Sequence, residues 1–171
     1  KYVVSLVDLM RRVDANCAWT PSETIEKSRE LAALGVEFIE QPLPPDQLEA
    51  MAEVHAKSSL PVVADESSVV PQDVPRLQGK FHGINIKLVK CGGILPALRM
   101  IHLARTFGMK IMIGCMIESS VCCTAAAQIG PLTDYLDIDG PLLITCDPYR
   151  GVEYNDGALR LPEGPGLGIT R

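Results

Sequence analysis

Four short segments of this sequence end in the same way: an apolar, largely β-branched run, then a charged residue, then turn residues. They are Val13-Asp14-Ala15-Asn16, Ile39-Glu40-Gln41-Pro42, Ala64-Asp65-Glu66-Ser67 and Asn85-Ile86-Lys87-Leu88. The charged residues follow one another at steps of 26, 25 and 22 positions. That is about the length of one strand–loop–helix unit of a parallel barrel, in which roughly 250 residues hold eight units. The period therefore points to parallel strands separated by helices.

The punctuation between these endings agrees. Thr20 and Glu23 form a T-x-x-E capping box with Pro21 at the first helical position, so a helix is expected to run to Leu34 and stop at Gly35. Val36 to Glu40 reads as a strand, Pro44-Pro45-Asp46 opens a helix through about Lys57, and Leu60 to Asp65 is a strand. A weaker helix is expected around Gln72 to Gln78, then a strand from Phe81 to Lys87. Gly92-Gly93 turns the chain into a helix from Pro96 to Gly108. Lys110 to Met116 is a fifth strand, Ser119 or Ser120 caps a small-residue helix, and Tyr135 opens a sixth strand. Beyond it, Val152-Glu153-Tyr154 and Leu159-Arg160-Leu161 flank Asn155-Asp156-Gly157, a hairpin pattern. Alternating elements imply a parallel sheet with helices outside. The expected fold is an incomplete α/β barrel of the TIM type with about six β/α units. It forms one domain over residues 1–171: a helix tail at 1–11, β/α units at 12–149, and a hairpin and tail at 150–171.

Bulk properties narrow the partners. At 171 residues the chain can bury a real core. A net charge of −5 without a basic block argues against nucleic acid. The longest apolar runs fall short of the roughly 18 residues of a membrane span, and no signal peptide is visible at Lys1, so a cytoplasmic location is expected. The six cysteines show no zinc-type spacing and read as reduced thiols. His55, His82 and His102 are isolated in sequence. A homo-oligomer is compatible with these features.

In a parallel barrel, groups at the C-terminal ends of the strands converge on one mouth. Asp14, Glu40 and Asp65 would there offer three hard oxygen ligands, which suit Mg2+, or Mn2+, rather than zinc. The competing reading is that each carboxylate caps the helix that follows. An apolar strand seldom carries an inward lysine unless it is paired or functional. Lys87 beside a dication would have a lowered pKa and could serve as a base. Lys90, three residues on, is expected to face solvent. Asn16 shares a strand face with Asp14, and Asn85 shares one with Lys87. Glu66 stands either as a partner of the lysine or as a helix cap. Asp137 and Asp139 form another same-face pair.

Val-Asp-Ala-Asn, Glu-Gln-Pro, Ala-Asp-Glu-Ser, Ile-Lys-Leu-x-Lys-x-Gly-Gly, Gly-Cys-Met-x-Glu-Ser and the closing Gly-Leu-Gly-Ile together resemble the enolase superfamily, over roughly residues 12–169. Within it the chain is similar to the muconate lactonizing enzyme subgroup. The resemblance implies an isomerase in which Asp14, Glu40 and Asp65 bind magnesium and Lys87 is an acid/base residue. The reaction would remove a proton α to a carboxylate and pass through an enediolate. Leu136-Asp137-Ile138-Asp139-Gly140-Pro141 resembles the Asp-x-Asp segment of dipeptide epimerases. It implies that Asp137 and Asp139 bind a substrate ammonium group, assisted by Glu118. Asn16 and Glu66 are expected as supporting residues of the site. The implied substrate is a small molecule, a dipeptide.

The family's N-terminal capping domain and its Lys-x-Lys strand have no counterpart in the 171 residues. Lys1 lies too near Asp14 to stand for that strand. The expectation is part of a longer polypeptide. Two alternatives stay open: a single-base cycloisomerase or o-succinylbenzoate synthase of the same superfamily, and a catalytically silent truncated barrel.

Overall fold

The computed structural model describes residues 11–155 and 158–171. The helix tail expected over the first eleven residues therefore lies outside the described residues, apart from Arg11. So do Asp156 and Gly157 of the hairpin turn.

Six strands, β1 (Arg11–Asp14), β2 (Val36–Glu40), β3 (Val62–Ala64), β4 (Gly83–Lys87), β5 (Lys110–Gly114) and β6 (Tyr135–Asp137), form one sheet in sequence order. Every neighbouring pair is parallel. The helices between them are α1 (Pro21–Ala33), α2 (Met51–Lys57), α3 (Leu88–Cys91), α4 (Ile94–Thr106) and α5 (Ser120–Ile129). A separate antiparallel hairpin follows, β7 (Glu153–Asn155) with β8 (Ala158–Arg160). No helix among the described residues is long and apolar enough to cross a membrane.

The sheet is strongly curled. Flat strands stand about 4.8 Å apart, so β2 and β6 would be separated by roughly 19 Å. Yet the Phe38 and Tyr135 ring centroids are 4.9 Å apart, and the Arg12 guanidinium on β1 lies 5.0 Å from the Tyr135 ring centre. Six parallel strands curled in this way make a partial barrel of the TIM type. Alternation sorts the side chains between its two faces. Ile39, Val62, Ala64, Ile84, Ile86, Ile111 and Ile113 point outward into the large core shared with the helices. Phe38, Val63, Met112 and Tyr135 point inward and form a small apolar plug. Two residues further along each strand, the inward positions are Glu40, Asp65, Gly114 and Asp137. The concave face thus has an apolar floor and an ionic rim.

Local signals placed most elements. Thr20 closes a reciprocal capping box with Glu23 at the start of α1, and Gly35 takes φ 74° just past its end. Three expectations are corrected. Arg11 belongs to β1, pairing with Val36, and not to a preceding helix. The helix expected from Pro44 is broken: a 3-10 turn at Pro45–Gln47 precedes α2. The helix around Gln72 to Gln78 is only a 3-10 turn over Val74–Leu77. There the Asp73 carboxylate accepts the N–H groups of Val69 and Val70, and Pro75 has no N–H to continue a helical ladder.

Candidate active site

The strand ends that carry charge stand level. Asp14 pairs with Glu40, Lys87 with Gly114, and Gly114 with Asp137. Above the plug they open into a cleft of about 150 Å³ lined by Asp14, Glu40, Asn85, Lys87, Asp137 and Asp139, with Met112, Gly114 and Cys115. Residues more than a hundred positions apart are thereby gathered at one mouth.

Glu40 is 6% exposed and accepts a 2.6 Å hydrogen bond from Asn85 Nδ2. Burial, with the negative charges of Asp65 and Asp14 added to it, pushes its carboxyl up to about 7 against the opposing pull of Asn85 and Lys87. The Asn85 amide packs against Gly114, the β5 partner of Lys87, where a Cβ would fall 2.7 Å from it. Asp65, 4% exposed, accepts from Lys87 Nζ at 2.8 Å on one oxygen and from Lys90 Nζ on the other. Lys90 also donates to the Asp65 carbonyl at 2.7 Å. Burial also raises the Asp137 carboxyl, with Asp139 adding to the effect.

One expectation changes here. Lys90 does not face solvent, because α3 begins directly after Lys87 and puts the two lysines three residues apart on one helical side. With only the protein's own charges around it, Lys87 has a raised pKa. Burial alone would depress it, but the Asp65 hydrogen bond and the charges of Asp65, Glu40 and Asp14 outweigh burial.

The remaining residues singled out in the sequence take varied places. Asn16 sits beyond the end of β1 in a left-handed turn, φ 44°, and donates its backbone N–H to Asp14 Oδ1 at 2.8 Å. The Glu66 carboxylate meets the Cys17 thiol, whose pKa burial and then that charge push up to about 11. Its Oε2 is buried without a hydrogen-bond partner, and both lysines bond Asp65 instead. Glu118 folds back to accept from Met116 N at 2.8 Å and does not line the cleft. Asp139 lies past the end of β6 but still reaches it. All six cysteines are free, from buried Cys91 and Cys123 to exposed Cys146. His55 and His82, isolated in sequence, stack with centroids 4.0 Å apart, away from the cleft.

Two residues at the site were not among the sequence candidates. Asn85 shares the inward face with Lys87, a period-two signal present in the sequence. Gln41 is fully buried between Glu40 and Pro42 and bonds the backbone of Asp65; a glutamine after a strand carries no such signal.

Among the described residues, no three His, Cys, Asp or Glu side chains converge tightly enough to chelate an ion as they stand. Asp65 spends its oxygens on two ammonium groups. In chemical type the residues nevertheless fit a hard dication. Asp14, Glu40 and Asp65 are oxygen donors on adjacent strand ends, their charges raise the Glu40 carboxyl, and Asn85 Oδ1 is a buried acceptor with no partner.

A curled parallel sheet with carboxylates and a lysine at the carboxyl ends of its strands defines the class: a barrel domain of the α/β type. More specifically, residues 4–171 match the enolase C-terminal domain-like family, and the chain belongs to that family. An L-Ala-D/L-amino acid epimerase of Maribacter sp. is 50% identical over 160 residues, which cover 93% of this chain and 48% of that protein. An L-Ala-D/L-Glu epimerase of Bacteroides thetaiotaomicron is 44% identical over 98% of this chain and 44% of its own length. The dipeptide epimerase of Enterococcus faecalis, solved with Mg and the dipeptide L-Leu-L-Tyr, superposes with a TM-score of 0.88 at 35% identity. That match covers 96% of this chain and 49% of the other. The chain spans about half the length of these relatives.

Proposed function

We propose that this chain supplies the metal-binding and acid/base half of a dipeptide epimerase, which moves the proton α to a carboxylate. The observation that carries the reading is the convergence of Asp14, Glu40, Lys87, Asp137 and Asp139 on one cleft. Asp14, Glu40 and Asp65 would hold Mg2+, with Asp65 giving up at least one of its lysine partners. Bound there, the ion would supply positive charge against the negative charge that builds on the substrate carboxylate when the α-proton leaves.

The chain's own residues do the rest. Asp137 and Asp139 accept hydrogen bonds from the substrate ammonium group, which fixes the dipeptide at the rim. Lys87 Nζ takes or returns the proton on one face of the α-carbon. Its raised pKa keeps it protonated while the carboxylates around it are uncompensated, which suits it to delivering a proton. The apolar cluster of Phe38, Val63, Met112 and Tyr135 bounds the cleft from below. Inversion also needs a group on the opposite face of the α-carbon.

The test is α-proton exchange in deuterated water with a dipeptide library and Mg2+. It is run on this chain and on a chain extended to the length of its relatives. Deuterium is expected at the α-carbon of the second residue and is expected to be lost in Lys87→Ala. Asp139→Ala should raise KM roughly 10- to 100-fold for substrates with a free ammonium group, the value of a charged hydrogen bond. A cycloisomerase would be indifferent to that change. No exchange by either chain would overturn the epimerase reading.

A further inference from the structure

We infer that Gln41 is a positioning residue that fixes Asp65 for the cation proposed above, an inference that rests on that reading. Gln41 is 0% exposed. A side-chain amide has two acceptor sites and two donor hydrogens, and all four are used here. Oε1 accepts from Asp65 N at 2.8 Å and from Ser67 N at 3.1 Å. Nε2 donates to Leu43 O at 2.8 Å and to Ser67 Oγ at 2.9 Å. Two backbone N–H groups can meet only the oxygen end, so the backbone of the β3 terminus sets the amide's orientation.

The main chain of Gln41 ties in the other two carboxylate-bearing strands. Its N–H donates to Val63 O at 2.9 Å, continuing the β2–β3 ladder one step past Glu40. Its carbonyl accepts from Cys17 N at 2.8 Å, in the turn that follows Asp14. One residue is thus bonded to the ends of β1 and β3 while covalently attached to Glu40. It does so at φ 31°, a left-handed conformation that a residue with a side chain keeps only where its surroundings enforce it. A buried amide is costly unless satisfied, and an apolar side chain of equal volume would fill the same space. What the amide adds is a bonded partner for Asp65 N–H and Ser67 N–H just where β3 has ended, and hence a fixed origin for the Asp65 carboxylate.

Gln41→Met, which keeps length and volume and removes all four bonds, tests this. Mg2+ binding is measured by calorimetry, Mn2+ binding by electron paramagnetic resonance, and exchange of the Asp65 and Ser67 amide hydrogens by NMR. The metal dissociation constant is expected to rise roughly 10- to 100-fold, as for other residues that orient a ligand. Those two amides should lose protection selectively, and dipeptide α-exchange should recover to within about twofold of wild type at saturating Mg2+. If Gln41→Met does not fold, Ser67→Ala removes one partner of the amide and carries the test, with an expected rise of roughly two- to tenfold. A folded Gln41→Met with wild-type metal affinity overturns the inference, and so does a variant that is merely less stable. If the wild type takes up no Mg2+, or Asp65→Asn binds as well as wild type, the cation reading itself fails and the inference with it. That failure is visible before Gln41 is changed.

Discussion

Asn85 and Gly114 illustrate how tightly the rim is packed. Asn85 is 2% exposed, its amide holds Glu40 at 2.6 Å, and that amide lies 2.7 Å from where a Cβ on residue 114 would stand. Removing the donor leaves a buried carboxylate oxygen unpaired, which costs about 1–3 kcal/mol. Asn85→Ala should therefore lower the midpoint of urea unfolding by that equivalent with little change in slope. Gly114→Ala should lose a comparable amount by displacing the amide; a wild-type midpoint in both would show that the contact carries no energy. Side-chain identity made part of this readable in the sequence: the inward lysine and the three carboxylates stood out because apolar strands rarely end in charge. Lys90 did not, because its direction depends on a four-residue helix that no cap or periodicity announces. Gln41 did not either, since a buried glutamine and an exposed one are written alike.

At the level of elements, the strand ends and the longer helices followed from punctuation. The side-chain bonds that distant segments make to these elements were illegible, although the elements themselves were expected. The first turn of α5 is an example. Its N-cap, Ser119, makes no side-chain cap, and Asp147 instead accepts from both Ser120 N and Ser120 Oγ at 2.6 Å. Asp147→Ala should cost about 1–2 kcal/mol, in the range of a lost cap, detectable as a lower thermal midpoint. Another is the entry to β4, where His82 Nδ1 accepts from Val62 N at 3.1 Å and the ring stacks on His55. Burial, with His55 beside it, lowers the His82 pKa to about 4. The ring is therefore neutral in the folded state at pH values where an unfolded histidine, near 6.5, already takes a proton. The contribution to stability is complete above pH 6.5 and is lost as pH falls from about 6.5 to 4, by on the order of 2 kcal/mol after allowance for partial exposure. His82→Asn keeps an acceptor for Val62 N–H without the titration. It should flatten unfolding free energy against pH in that window; an unchanged slope would rule the histidine out as its source.

The whole molecule is a curled sheet whose inner face divides into an apolar floor and a charged rim, and the division has an energetic consequence. The rim brings Asp14 and Asp65 close enough to oppose the ionisation of Glu40, on three strands of which β3 is only three residues long. A cation shared among them would join β1, β2 and β3 directly and bind the folded chain alone, since the unfolded chain scatters the three carboxylates. Ligand binding to the native state stabilises by RT ln(1 + [L]/Kd), about 2.7 kcal/mol at a hundredfold excess over Kd. For a chain of this size that corresponds to a midpoint higher by roughly 5–10 °C. Thermal unfolding with Mg2+ should show this rise, and a chelator should reverse it. Asp65→Asn should remove most of the rise. Asp139→Ala, which alters the rim on the substrate side only, should leave it intact, separating the metal half of the cleft from the ammonium half. An equal rise in wild type and Asp65→Asn would mean that magnesium acts elsewhere on this acidic surface, as general screening of its net charge of −5.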